Sequence, residues 1–526
     1  MESSTSHNIN FIMNSSGSTF VEPAEPLNSR TVACSAIENI CAQVHHTLAL
    51  FFSIDEDSDA LIHFEYFRQG LSRALCHSDL WAGTLQKDAR GAFSIHVPKA
   101  PNAGVRFHYR DVSRDHTFPS FADFKKAGFP YADGNLDGLS QLRPEDFPVS
   151  ESDNPTFVTQ LTHIKGGLVL SSSFSHLVSD VIRARDFLVE WANQTKLASE
   201  GVMSLPAPFP SSISDTSRLS PTPTGPSDFE SLQEKAKDLP NFKVMDINDP
   251  VGTVSELQSF QPKAHIGPCS EQQEDFLREP ISGAWRVLRS DAEAIADFAR
   301  KSGGRLTYMN VLISFLWSRL FVAKYPNAET QPNETTILNA INIRNRLSPP
   351  LPHNYQGAAV DLLRATVPSK FMGAIVSASG DESNKLAEVA IALREANGEW
   401  SEKQFMTLLE VIQQTPISPG VIPRGPIDFL VTDHRGFQPL VEASWGPSLG
   451  QCEAFREPYI GRAIPTGEIE LMPGPKGEIH VLISAERVVL ERLSSDTEMR
   501  RFSRRLFLAH DFVKSTQKAG RMSARL

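Results

Sequence analysis

The sharpest chemical feature of the chain is Ser175-His176-Leu177-Val178-Ser179-Asp180, a histidine followed four residues later by an aspartate. An imidazole titrates near neutral pH, so a histidine held rigidly beside a reacting hydroxyl can take its proton. Spacing alone leaves a second reading open, in which His176 is a helix-start histidine satisfied by backbone. The neighbouring elements bear on the choice. Residues 156–164 and 167–174 read as two strands joined at Lys165-Gly166-Gly167. A helix over 180–196 then puts Ala184, Phe187, Leu188, Trp191 and Ala192 on one face. His176 therefore falls where strand gives way to helix, a junction that fixes a side chain and leaves one flank open to a ligand.

Further along, a strand is expected over 284–288 and a helix from about Asp291, followed by a very apolar helix over 307–322 with Thr307 as its cap. Residues 335–343 form a strand rich in β-branched side chains. Helices over 385–396 and 401–413 come next, then strands over 427–432, 467–472 and 478–485. Strands and helices alternate in both halves, which points to α/β layers. The clearest break in composition is the Pro/Ser/Thr-rich stretch 203–228, and weak periodicity continues to about Pro280. This gives an N-terminal domain over 1–203, a crossover over 204–282 and a C-terminal domain over 283–526.

With 526 residues, the length suits two large domains or three ordinary ones. The chain is 40% hydrophobic and 21% charged, as in ordinary globular proteins. A net charge of −11 with no basic block excludes electrostatic nucleic-acid binding. No apolar run is long enough to span a membrane, and residues 1–19 lack the layout of a signal peptide. Cys34, Cys41, Cys76, Cys269 and Cys452 are odd in number and have no CxxC, so they read as free thiols of an intracellular protein. No GxGxxG follows a strand and no His/Cys cluster is visible, so no metal, flavin or nicotinamide is expected. No repeat points to a solenoid.

Four separated motifs together resemble one family. Thr159-Gln160-Leu161, Gly166-Gly167, the His176–Asp180 segment, Phe187-Leu188 and Trp191-Ala192 are similar to the HxxxD region of the BAHD acyltransferases, including their fungal, trichothecene-acetyltransferase-like branch. Leu80-Trp81-Ala82-Gly83-Thr84-Leu85 resembles that family's PLAGRL segment. Asn342-Ile343-Arg344-Asn345-Arg346-Leu347, Pro349-Pro350-Leu351-Pro352 and Tyr355-Gln356-Gly357 are close to its NxRxRLxPPLPxxYxGN stretch. The resemblance implies two similar chloramphenicol-acetyltransferase-like α/β domains with mixed sheets, joined by a long crossover. Acyl-CoA, with acetyl-CoA the expected donor, and a small-molecule alcohol would enter a shared tunnel from opposite faces, with no further cofactor and in a monomer. His176 would be the general base, and Asp180 would point away and pair with Arg344 or Arg346.

Two family features are altered. Glu442-Ala443-Ser444-Trp445-Gly446 stands where the family has DFGWG, a structural segment, and Trp445 is equally explained as a core indole. Thr432-Asp433-His434 aligns, with one gap, to a Thr-Ser-Trp stretch whose Thr and Trp can donate to the oxyanion. His434 could replace that Trp, Thr432 could act alone, or His434 could be a surface residue. Non-ribosomal condensation domains share the expected fold but usually carry HHxxxDG; here Ser175 and Val181 replace its first His and its Gly. A repurposed relative working without CoA, whether condensation-like, cyclase-like or a binding protein, is the alternative function. The final Ala524-Arg525-Leu526, with Lys514, Lys518 and Arg521 upstream, resembles a peroxisomal address, or is a basic tail. Localisation is therefore expected to be cytoplasmic or peroxisomal.

Overall fold

The computed structural model describes residues 16–41, 45–89, 91–130, 154–205, 215–225, 228–245, 263–266, 268–376, 381–415, 420–457 and 467–508. The hairpin foreseen in the first half is present. Strands Phe157–Ile164 and Gly167–Ser175 pair antiparallel from Ile164↔Gly167 to Phe157↔Phe174. Gly166 makes the turn at a φ of 74°, a conformation that costs little only without a Cβ. The hairpin is the centre of a six-stranded sheet ordered Ser16–Val21, Val105–Asp111, Phe157–Ile164, Gly167–Ser175, His45–Ser53 and Ala454–Arg456. Helices Ala60–His77 and Val181–Ser199 cover one face, burying Phe64, Phe67, Leu71, Phe187, Leu188 and Trp191.

The second half builds a seven-stranded mixed sheet. Its order is Val360–Pro368, Glu334–Asn342, Phe429–Asp433, Glu468–Pro473, Ile479–Glu486, Pro280–Val287 and Arg504–Leu508. Phe429–Asp433 runs parallel to both of its neighbours, and the other pairs are antiparallel. Helix Tyr308–Lys324 is apolar around most of its circumference because it is buried from Val311 to Phe321. Thr307 and Ser401 cap helices Tyr308–Lys324 and Glu402–Gln414, accepting from the Asn310 and Gln404 amides. The α/β architecture with mixed sheets is the one expected, and all five cysteines are free. Among the described residues, no helix is long and apolar enough to cross a membrane.

The chain does not keep to a simple division at residue 283. Phe437, Leu440, Val441, Trp445, Leu449, Cys452 and Phe455 pack into the core of the first sheet, and Ala454–Arg456 extends that sheet beside His45–Ser53. Inside the crossover, helix Phe229–Ala236 and strand Phe242–Val244 are ordered against helix Glu402–Gln414. Leu232, Ala236 and Phe242 are buried there with Phe405 and Leu408. Proline and serine content hid these short elements. The strands before residue 154 and Val360–Pro368 were likewise not foreseen from the sequence.

Candidate active site

His176 opens a single 3-10 turn, His176–Val178, directly after strand Gly167–Ser175. Leu177 and Val178 are fully buried and lock the turn into the core, while His176 itself stays partly exposed. Its Nδ1 is shut away from solvent. Burial lowers the pKa of the ring, and its own main-chain carbonyl only partly offsets this, so the imidazole is neutral near pH 7. A second imidazole, His46, lies with its ring centre 4.5 Å from that of His176. Strand pairing puts it there: His46 stands opposite Phe174 in the register.

Asp180 is the N-cap of helix Val181–Ser199, accepting from the Arg183 amide at 3.1 Å. It also takes both terminal nitrogens of Arg344, at 2.6 and 3.1 Å, and the Ala359 amide at 3.1 Å. Burial opposes its charge, but Arg344 and these amides outweigh burial and hold the carboxyl below its usual range. Arg344 donates in addition to the Gly357 and Tyr355 carbonyls. Beside it, Glu38 takes the Ala358 amide at 2.9 Å and the Ser35 amide at 2.6 Å. Two carboxylates from the first half thus hold consecutive amides of the second. Arg346 is not part of this seam: it donates to Asn397 and lies over Trp400.

The opposite wall comes from the second sheet. Thr432 is the penultimate residue of strand Phe429–Asp433, with its Oγ1 buried and unpartnered. His434 follows in a 3-10 turn, its ring centre 6.3 Å from His46 and 6.2 Å from Phe437, edge-on to both. Its Nδ1 is 2.8 Å from Glu457 Oε1. Burial disfavours the His434 cation, but Glu457, Glu468 and Asp433 together outweigh burial and raise its pKa. Glu468 and Glu470 lie on one face of the next strand, Thr432 standing opposite Glu470 in the register. Both are buried, with Oε2 unpartnered. Burial and the neighbouring acids push both carboxyls above their usual range, and Glu470 hydrogen-bonds Glu457. One ring nitrogen of His434 and one carboxyl oxygen each of Glu457 and Glu470 lie within 4.8 Å of one another.

The structure therefore brings His176, Asp180, Arg344, Thr432 and His434 to one seam between the halves, and it adds His46, Glu38, Glu457, Glu468 and Glu470. Only faint sequence signals pointed to the added groups: the His45-His46 pair at the head of a strand, and two acids spaced i, i+2 on a strand read as buried. Glu442, Trp445 and Gly446 lie elsewhere. Trp445 is fully buried against Phe52, Phe67 and Trp191. Glu442 is exposed and accepts from Gln438. The altered DFGWG segment thus belongs to the core of the first sheet.

A family model, the Transferase family, matches residues 12–446. The chain belongs to this family. Proteins similar to it include the acyltransferase clz6 of Cochliobolus lunatus, 24% identical over 505 residues, covering 91% of this chain and 96% of the relative. The O-acetyltransferase ptmV of Penicillium ochrochloron is 21% identical over 390 residues, 68% of this chain and 74% of the relative. The fold is similar to that of F. graminearum TRI101 solved with coenzyme A and T-2 mycotoxin. That match has a TM-score of 0.67 and 15% identity, over 91% of this chain and 100% of the other.

Proposed function

We propose that the chain is an acyl-CoA-dependent O-acyltransferase that moves an acyl group, acetyl in the first instance, onto a hydroxyl of a specialised small molecule. The observation that carries this is the pairing of a neutral, partly exposed His176 with an Asp180 whose oxygens are occupied by other donors. Family membership, the O-acetyltransferase name of one relative and the CoA and toxin bound by TRI101 support the same reading.

In the mechanism, His176 takes the acceptor's O–H proton as the oxygen attacks the thioester carbon. A C–O bond forms and the carbonyl oxygen becomes an oxyanion. Collapse breaks the C–S bond, and the departing CoA sulfur receives the proton from His176. Thr432 and His434 are the donors available to the oxyanion, and one such donor is typically worth about 3 kcal/mol. Asp180 and Arg344 hold the seam and exchange no proton. Thiol release from acetyl-CoA in the presence of a panel of alcohols tests the reading. Acceptor-dependent release that disappears in His176→Ala supports it; release that persists in that variant removes His176 from the role.

Two further parts of the proposal concern the whole protein. A monomer suffices, since both walls of the site come from one chain, and sedimentation measures this. Ala524-Arg525-Leu526, outside the described residues, would direct the protein to peroxisomes; a fluorescent fusion with and without the tripeptide decides it.

A further inference from the structure

Resting on that reading, we propose that Glu457 and Glu470 are positioning residues that hold His434 as a doubly protonated imidazolium, so that the oxyanion of this enzyme meets a charged N–H donor. The argument starts from the tautomer. His434 Nδ1 is 2.8 Å from Glu457 Oε1, and with that oxygen as the acceptor the proton of the contact is on Nδ1. A neutral ring would then present only a lone pair from Nε2, which repels an oxyanion. His434 can serve the oxyanion only if Nε2 is protonated as well.

The surroundings supply the charge that this state needs. The titratable groups facing His434 are Glu457 beyond strand Ala454–Arg456, Glu468 and Glu470 on strand Glu468–Pro473, His46 and His176 from the first sheet, and Asp433 and Arg435 beside it in its own segment. Burial keeps His46 and His176 neutral, so neither competes for the charge. Arg435 is committed to Asp433 and to the Tyr308 hydroxyl. Glu468 and Glu470 are held in the neutral acid form by burial and by their neighbours. Glu457 is the acid in hydrogen-bond contact with the ring, and Glu470 hydrogen-bonds Glu457 in turn. One negative and one positive charge balance in a buried site, as such burial requires. Phe437 and His46, both edge-on, fix the ring plane.

Through the reaction the proton on His434 stays in place: the acceptor's proton goes to His176 and then to sulfur, and His434 only donates a hydrogen bond. Glu470→Gln keeps a donor toward Glu457, since its amide also carries N–H groups, whereas Glu470→Leu and Glu457→Gln remove the arrangement.

The first test reads protonation and not turnover. Long-range proton–nitrogen spectra of the full-length, 15N-histidine-labelled protein, with His434 assigned by comparison with His434→Gln, are recorded at pH 7.5. Two protonated ring nitrogens are expected in the wild type and in Glu470→Gln, and one in Glu457→Gln. A neutral His434 in the wild type overturns the proposal, as does a His434 signal that changes on dialysis against a chelator, which would make the cluster a metal site. The second test is the pH profile of thiol release. In Glu457→Gln the loss at pH 8 should exceed the loss at pH 6 by about tenfold or more, because a ring charged at pH 7.5 in the wild type and neutral there in the variant requires a drop of about two units in the pKa of the donor. A loss equal at both pH values would mean a merely structural role. If no variant or wild type releases thiol at all, the acyltransferase reading fails while the spectra still decide the state of His434.

Discussion

The carboxylate of Asp180 grips the guanidinium of Arg344 from 164 residues away, with contacts of 2.6 and 3.1 Å and with both side chains almost fully buried. The same carboxylate caps the helix after His176 and takes the Ala359 amide. Its four acceptor directions are all filled, two by the Arg344 guanidinium and one each by the Arg183 and Ala359 amides. It therefore acts as the joint at which the turn bearing His176, the helix behind it and the second half are registered. His176 inherits its position from that joint.

Removing one partner of this pair should cost stability before chemistry. Arg344→Met leaves a buried carboxylate with two amides and no cation, and breaking such a pair typically costs about 3–5 kcal/mol. Asp180→Asn leaves the Arg344 cation unbalanced and turns an NH2 toward N–H donors whichever way the amide is set, so it should cost about as much. Urea unfolding should place both variants well below the wild type. A variant that unfolds like the wild type yet has lost turnover would mean that Asp180 acts on the reacting groups directly.

Replacing His176 by Ala should lower kcat/KM by about 10²–10⁴, the usual worth of a general base. The pH dependence has a definite sign. Burial lowers the His176 pKa, so the neutral base predominates at pH 7, and activity should decline only as acid carries the pH below 6.5 and through that lowered value. An acid limb centred above 6.5 in a kcat/KM profile would contradict the burial seen here.

How far the sequence could have led is clear from these groups. The hairpin before His176, the helix after it and most elements of the second half were readable because apolar spacing there follows one period over a full element. Arg344 and Arg346 could not be told apart, because the choice depends on which side of a turn faces the other half, and only Arg344 does. His434 was one of three readings because its role depends on Glu457 and Glu470, which arrive from separate segments and meet only through strand register. Among the early strands, Arg30–Ala33, Thr84–Lys87 and Phe93–Val97 are only four or five residues long, and His45–Ser53 is buried on both faces and so shows no alternation.

The altered DFGWG segment should matter to folding alone. Trp445→Ala empties a space between Phe52, Phe67 and Trp191, and large-to-small changes of this kind cost about 3–5 kcal/mol. Gly446 sits at a φ of 119°, and a Cβ there would lie 2.4 Å from Ser199 Oγ, so Gly446→Ala should destabilise by about 1–3 kcal/mol. Glu442→Ala, on the surface, should fall within about 0.5 kcal/mol of the wild type. Denaturation midpoints check all three, and a large loss in Glu442→Ala would reverse this account of the segment.

Glu468 sets the alkaline side of the stability curve, and the buried histidines set the acid side. Burial pushes His45 down to about 4 and His480 down to about 3, against an ordinary value of 6.5. Below pH 6.5 the unfolded chain takes up protons that the native state refuses, so stability falls as pH drops through that window, by a few kcal/mol. Glu468 works in the opposite sense. Its folded pKa is raised by burial and by Glu457, so above about pH 4.5 the unfolded chain releases a proton that the native state keeps. Its contribution is thus fully present below the unfolded value and is lost as pH rises toward the folded one. Glu468→Gln has no proton to lose, and its stability relative to the wild type should climb steadily between pH 5 and pH 8. Urea midpoints at three pH values measure the slope. A difference that stays flat across that range would mean Glu468 is ionised in the folded protein and paired with a cation, and the charge balance drawn around His434 would have to be redone with two carboxylates in place of one.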